Sequence, residues 1–182
     1  DRPEPRFRRV WVTLLNAGLW AFAASATTHP DFWALLFRAG FASTLLLLAL
    51  IDWDTTLLPD WVVLPLALAG LIGSHAGFTG QSLFVGAASA AVVLGLFGGL
   101  AWAFQRIRGT SGIGGGDLKL LAALAAWWGV VDVLYMMILA SMVTVLWNLA
   151  WRWFKGFSPE AEWPFGPAIV IAALAWSLSH PV

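Results

Sequence analysis

The stretch FASTLLLLALIDWDTTLLPD, residues 41–60, decides the fold class of this chain. It begins with an apolar run and ends in a short segment that carries the aspartates Asp52, Asp54 and Asp60. Similar runs fill the rest of the sequence, which is 60% hydrophobic and 11% charged. Soluble domains are about half apolar and about one quarter charged. The composition therefore places the chain in a lipid bilayer.

Seven apolar segments are close to the length that a bilayer requires. A helix needs about 20 residues to cross the hydrocarbon layer. The segments lack a strict two-residue alternation, so helices are favoured over a β-barrel. We expect an all-α, polytopic helical bundle with about six to seven transmembrane helices, forming one domain over residues 1–182. The segments are residues 10–27, 31–51, 61–77, 81–105, 117–130, 133–151 and 165–180.

The basic residues predict the orientation of this bundle. With a cytoplasmic N-terminus and seven alternating helices, all but one of the ten basic residues fall at cytoplasmic ends, as the positive-inside rule requires. The exception is Arg38, which we expect to snorkel towards the membrane surface or to pair with a neighbouring polar group. The cytoplasmic set is Arg2, Arg6, Arg8, Arg9, Arg106, Arg108, Lys119, Arg152 and Lys155.

Four aspartates, Asp52, Asp54, Asp60 and Asp117, share this predicted cytoplasmic face. Asp52 directly follows an apolar run, where a charged carboxylate is costly to keep, so it is a candidate functional residue. Asp117 follows the glycines at positions 114–116 and has two interpretations, a catalytic carboxylate or a helix cap. Asp60 is expected to cap a helix that begins at the next residue.

Two carboxylates in a poorly solvated site share one proton, because both cannot ionise cheaply. Such a pair can activate water and stabilise the oxyanion during peptide hydrolysis. Other peptidase chemistries fit less well. The chain has no cysteine, it lacks an HExxH zinc motif, and its three histidines fall on the opposite predicted face. We therefore predict an aspartic site without a metal ion or a cofactor.

Three stretches carry a resemblance to a known family. IDWDTTLLPD (51–60), GGGDLKLLAALAAWWG (114–129) and EWPFGPAI (162–169) together resemble the type IV prepilin peptidases, which are GxGD aspartic peptidases. The resemblance implies that Asp52 and Asp117 are the catalytic pair. It also implies removal of the short basic leader of prepilins and pseudopilins at the cytoplasmic face of the bacterial inner membrane. Gly114, Gly115 and Gly116 lack Cβ atoms and are predicted to let a substrate strand approach closely.

Long members of the resembled family also carry an additional N-terminal helix and a segment with two CxxC motifs, associated with N-methylation by S-adenosylmethionine. The sequence contains neither feature, so the resemblance is to the peptidase core, with the N-terminal part truncated or lost, and it gives no ground for predicting methyltransferase activity. The expected partners are prepilin or pseudopilin substrates and the lipid bilayer. A formal net charge of zero gives no reason to expect nucleic acid, and the oligomeric state is left open.

A different class of function is also compatible with these residues. Asp52, Asp54, Asp60 and Asp117 could serve as oxygen ligands in a cation carrier, or the chain could be a non-catalytic membrane assembly component.

Overall fold

A computed structural model describes residues 6–25, 32–109, 114–155 and 165–179 of the chain. Seven α-helices make up nearly all of these ranges, and no strand occurs within them. The prediction of an all-α fold is therefore confirmed. The helices are α1 (Arg6–Ser25), α2 (Phe32–Thr55), α3 (Asp60–Ala76), α4 (Leu83–Arg108), α5 (Gly115–Trp128), α6 (Val130–Lys155) and α7 (Gly166–Ser179).

Each predicted segment corresponds to one of these helices. Among the described residues, three stretches are long and apolar enough to span a membrane, Phe32–Thr55, Leu83–Arg108 and Val130–Trp151. Helices α3 and α7 are shorter apolar helices. The structure thus supports a membrane protein, and the estimate of six to seven crossings stays a prediction.

Helix α2 extends one turn further than the sequence predicted. The predicted segment ended at residue 51, directly before Asp52, whereas the helix ends at Thr55. The backbone N–H of Thr56 still donates to the carbonyl of Asp52 at 2.8 Å, and Thr56 itself adopts a φ of 54°. A left-handed residue, rather than the charge of Asp52, ends this helix. Asp52 consequently lies inside the last turn.

The chain divides into two compact units, residues 1–47 and 48–182. In the first unit, Trp20 Nε1–H donates to Ser43 Oγ at 3.0 Å, and Ser43 Oγ–H donates to Asn16 Oδ1 at 2.8 Å. Polar side chains of this kind join helices inside lipid. Nothing in this division tests the single-domain assignment, which stays a prediction.

Helix α5 forms the centre of the second unit. All residues from Leu120 to Trp127 are buried, on every side of the helix, as α3, α4, α6 and α7 pack around it. The indole of Trp127 lies against Gly70 of α3, where an added Cβ would be 2.5 Å from Trp127 Cδ1. Its Nε1–H donates to the carbonyl of Leu66 at 2.9 Å. Close packing against α3 therefore fixes the position of α5, and with it the first turn that carries Asp117.

Candidate active site

Asp52 lies in the last turn of α2 and is 4% exposed. Its Oδ2 accepts a hydrogen bond from the backbone N–H of Gly166, at 3.1 Å. A buried carboxylate needs such a donor, because an unpaired one pays the full cost of leaving water. The contact joins residues 114 positions apart in the chain.

Gly166 is the first residue of α7, and its environment explains why it meets Asp52. The N–H groups of Ala168 and Ile169 both donate to the carbonyl of Phe165, and Pro167 has no N–H. The N–H of Gly166 has no acceptor within its own helix, as is usual for the first turn. Phe165 has no polar side chain that could cap the helix. Asp52, a residue of α2, therefore caps the N-terminus of α7 through this hydrogen bond.

Gly166 also lies too close to Asp52 to carry a side chain. An ideal Cβ at this position would be 2.6 Å from Asp52 Oδ2 and 2.8 Å from Asp52 Cγ. Carbon and oxygen atoms that are not bonded do not approach so closely. A glycine is thus required here as long as the Asp52 carboxylate keeps its position.

Asp117 lies in the first turn of α5 and is partly buried, outside the three membrane-length helices. Burial, and after it the negative charge of Asp52, raises the pKa of Asp117 to about 6 from its ordinary 3.8. A helix N-terminus by itself favours the anion, so the cost of burial outweighs the helix dipole here. The two carboxyl groups therefore lie close enough for the charge of Asp52 to act on Asp117.

The three glycines before Asp117 have different surroundings. An ideal Cβ on Gly114 would be 3.0 Å from Asp117 Oδ2, whereas one on Gly116 would be 2.9 Å from Leu58 Cβ. Nothing lies within 4 Å of the corresponding point on Gly115. Gly116 is therefore needed for packing, Gly114 leaves room for the Asp117 carboxylate, and Gly115 borders open space. Their predicted contact with substrate stays a prediction.

The remaining aspartates lie outside this arrangement. Asp60 is the first residue of α3, and Pro59 holds the N-cap position with an extended backbone, so the predicted cap at Asp60 is wrong. The Asp60 carboxylate instead accepts from Lys119 Nζ at 2.7 and 2.8 Å, and both side chains are about half exposed. Asp54 is exposed in the last turn of α2.

The cation-carrier alternative requires several oxygen ligands around one point. Within the part of the chain that the structure describes, no group of three or more His, Cys, Asp or Glu residues could hold a metal ion. The Asp60 carboxylate is already neutralised by a lysine. The geometry thus gives the carrier hypothesis no support in these ranges.

Sequence reasoning missed Gly166 as a site residue. The stretch EWPFGPAI contained it, but a glycine directly before a proline indicates a turn rather than a contact with a distant carboxylate. It also missed the partnership of Lys119 with Asp60, which depends on how α3 and α5 pack.

Comparison with known proteins identifies the family. A sequence model described as the type IV leader peptidase family matches residues 39–149, which include Asp52 and Asp117. The chain belongs to this family. The prepilin leader peptidase/N-methyltransferase of Aeromonas hydrophila is 35% identical over 171 residues, which are 91% of this chain and 57% of that protein. Those of Xanthomonas campestris and Pseudomonas aeruginosa are each 37% identical, over 67% and 72% of this chain and 42% and 46% of theirs.

The chain thus spans about half the length of the curated leader peptidases that it matches. No solved structure gives a significant match.

Proposed function

We propose that this chain is an aspartic endopeptidase that removes the leader of type IV prepilins and pseudopilins. Membership of the leader peptidase family supports the reaction and the substrate class. The single observation that supports the catalytic pair is electrostatic: Asp117 is partly buried, and the charge of Asp52 helps to raise its pKa. Two carboxyl groups in this relation hold one proton between them.

The shared proton is the state that peptide hydrolysis needs. The ionised carboxylate takes a proton from water as the water oxygen attacks the scissile carbonyl carbon. The protonated carboxyl donates to the carbonyl oxygen as negative charge develops there. When the tetrahedral intermediate collapses, the C–N bond breaks and the leaving nitrogen takes up a proton from the pair. Because the pair titrates together, the roles of base and acid belong to the pair.

The substrate strand is proposed to pass beside Gly115. Of the glycines at positions 114–116, this is the one with open space where a side chain would stand. Both aspartates lie at helix ends on the predicted cytoplasmic side, Asp52 in the last turn of α2 and Asp117 in the first turn of α5. We accordingly place cleavage at the cytoplasmic face of the inner membrane. The proposal concerns the peptidase reaction alone.

The test is to replace each aspartate by asparagine in the full chain, in membranes, and to measure cleavage of a prepilin. Asparagine keeps the shape of the side chain and an oxygen that can accept from Gly166, but it cannot ionise. We expect Asp52→Asn and Asp117→Asn each to lower the rate by about 10³-fold or more.

Asp60→Asn is the matched control, because Asp60 lies near the same turn of α5 but is exposed and paired with Lys119. Its rate should stay within about threefold of the parent, since a surface ion pair contributes little. Cleavage at the parental rate by either Asp52→Asn or Asp117→Asn would exclude the proposed pair.

A further inference from the structure

The contact between Gly166 and Asp52 suggests a role for α7 that rests on the proposed function. We propose that Gly166 is a positioning residue, which holds the Asp52 carboxylate in its reactive orientation by a backbone hydrogen bond and by having no side chain. The two features act on the same atom. The N–H donates to Asp52 Oδ2 at 3.1 Å, and the missing Cβ leaves the space that Oδ2 fills.

The hydrogen bond restricts how the carboxylate can turn. A carboxyl group rotates broadly about its last torsion, and this rotation exchanges the two oxygens. The hydrogen bond from Gly166 favours one orientation of the carboxylate plane, in which one oxygen faces Gly166 and the other is left for the water molecule. Catalytic groups must be held close to their productive geometry, and a displacement of about 1 Å can lower a rate by about 10²-fold.

The donor is itself held firmly, because α7 is anchored by its buried face. Ile169 is fully buried directly after the first turn, as is Ala173 one turn later, and α7 packs against α6 and α5. The helix therefore cannot move away easily to make room for a side chain at position 166. A methyl group there would instead displace the Asp52 carboxylate.

The first measurement is a steady-state comparison of Gly166→Ala with the parent protein on a prepilin substrate. Since Gly166 acts through Asp52 rather than on the substrate, kcat should fall by about 100-fold while KM changes by less than about threefold. Gly99→Ala in α4 is the matched control, because nothing lies within 4 Å of the Cβ that it adds. Its kcat should match that of the parent.

The second measurement separates positioning from general damage to the fold. Gly166→Ala should lower Tm by roughly 3–10 °C, as expected for an overpacked site in a chain of this size. In an Asp52→Ala background the carboxylate atoms at 2.6 and 2.8 Å are gone, and the next nearest atom is Asp52 Cβ at 3.2 Å. In that background, Gly166→Ala should lower Tm by less than about half of the decrease that it causes in the parent protein. If Gly166→Ala fails to fold, the double variant should fold like Asp52→Ala alone.

Two results would overturn the inference. One is a kcat for Gly166→Ala within about threefold of the parent. The other is an equal effect of Gly166→Ala on the fold with and without the Asp52 carboxylate. Neither result bears on the proposed function, which fails only if Asp52→Asn or Asp117→Asn still cleaves the prepilin. A parental rate in Gly166→Ala beside an inactive Asp52→Asn would remove the positioning role and leave the peptidase intact.

Discussion

Asp60 and Lys119 form a pair of opposite charges near the first turn of α5, whereas Asp52 and Asp117 are a proposed pair of like charges. In the first pair, Lys119 is 44% exposed and Asp60 54% exposed, and a cation neutralises the carboxylate at 2.7 Å. In the second, Asp52 is 4% exposed, and the nearby group that acts on Asp117 is a second carboxylate. The comparison shows that residue type does not decide the chemistry. Burial, and after it the like charge of Asp52, raises the pKa of Asp117 to about 6.

The two pairs should differ most in their response to Asp→Glu substitutions, which keep a carboxylate but change its position. Asp52→Glu and Asp117→Glu shift the carboxyl group by one methylene, and each should lower kcat/KM for prepilin cleavage by about 100-fold. Asp60→Glu should keep kcat/KM within about threefold of the parent value, because exposed side chains such as Asp60 and Lys119 can change conformation and still pair. Full activity of the Asp52→Glu and Asp117→Glu variants would mean that charge alone, and not its position, matters in the buried pair.

A smaller effect concerns the titration of Asp117. Its pKa is raised to about 6 from 3.8, so the folded protein keeps this proton to a higher pH than the unfolded chain does. Stability should therefore fall as the pH rises from about 4 to about 6, and level off above that. Asp52→Asn removes the negative charge that contributes to the shift and should lower the pKa of Asp117.

Thermal unfolding in detergent between pH 4 and pH 8 measures this titration. The decline in Tm should move to lower pH in Asp52→Asn, while Asp60→Asn should follow the parent curve. An unchanged midpoint in Asp52→Asn would show that the two carboxyl groups do not interact.

The smallest effect is expected for the exposed pair. Lys119→Met should reduce the free energy of unfolding by less than about 1 kcal/mol, because solvent screens the attraction and both side chains lose freedom in forming the pair. The loss should shrink further at high salt. Chemical denaturation in low and high salt provides the measurement. A decrease in the free energy of unfolding above about 2 kcal/mol would mean that this exposed pair contributes as much as a buried ion pair.

Much of the fold could be predicted from the sequence, because bilayer thickness and hydropathy together determine where helices form. All seven predicted segments correspond to helices. The boundaries were less accurate, as at the end of α2. There the left-handed Thr56, which no composition rule indicates, ends the helix after Asp52.

The candidate site was predicted only in part. Asp52 and Asp117 were selected by their positions after an apolar run and after three glycines, and by a family resemblance. The two residues are 65 positions apart in the chain, so their proximity depends on how the helices pack, which periodicity does not reveal. The role of Gly166 was harder still, since a glycine shows no chemistry of its own. Only the location of Asp52 Oδ2 explains why this position lacks a side chain.

The cap that Asp52 provides for α7 has a consequence for biosynthesis. Gly166 leaves the ribosome 114 residues after Asp52, which is on the order of ten seconds at roughly 5–20 residues per second. Throughout that interval the carboxylate of Asp52 has no α7 to bind. The arrangement of the site therefore arises only after the α7 segment has been made and has joined its neighbours. The proposed positioning role therefore predicts that a nascent chain without α7 has little peptidase activity, even when both aspartates have already been made.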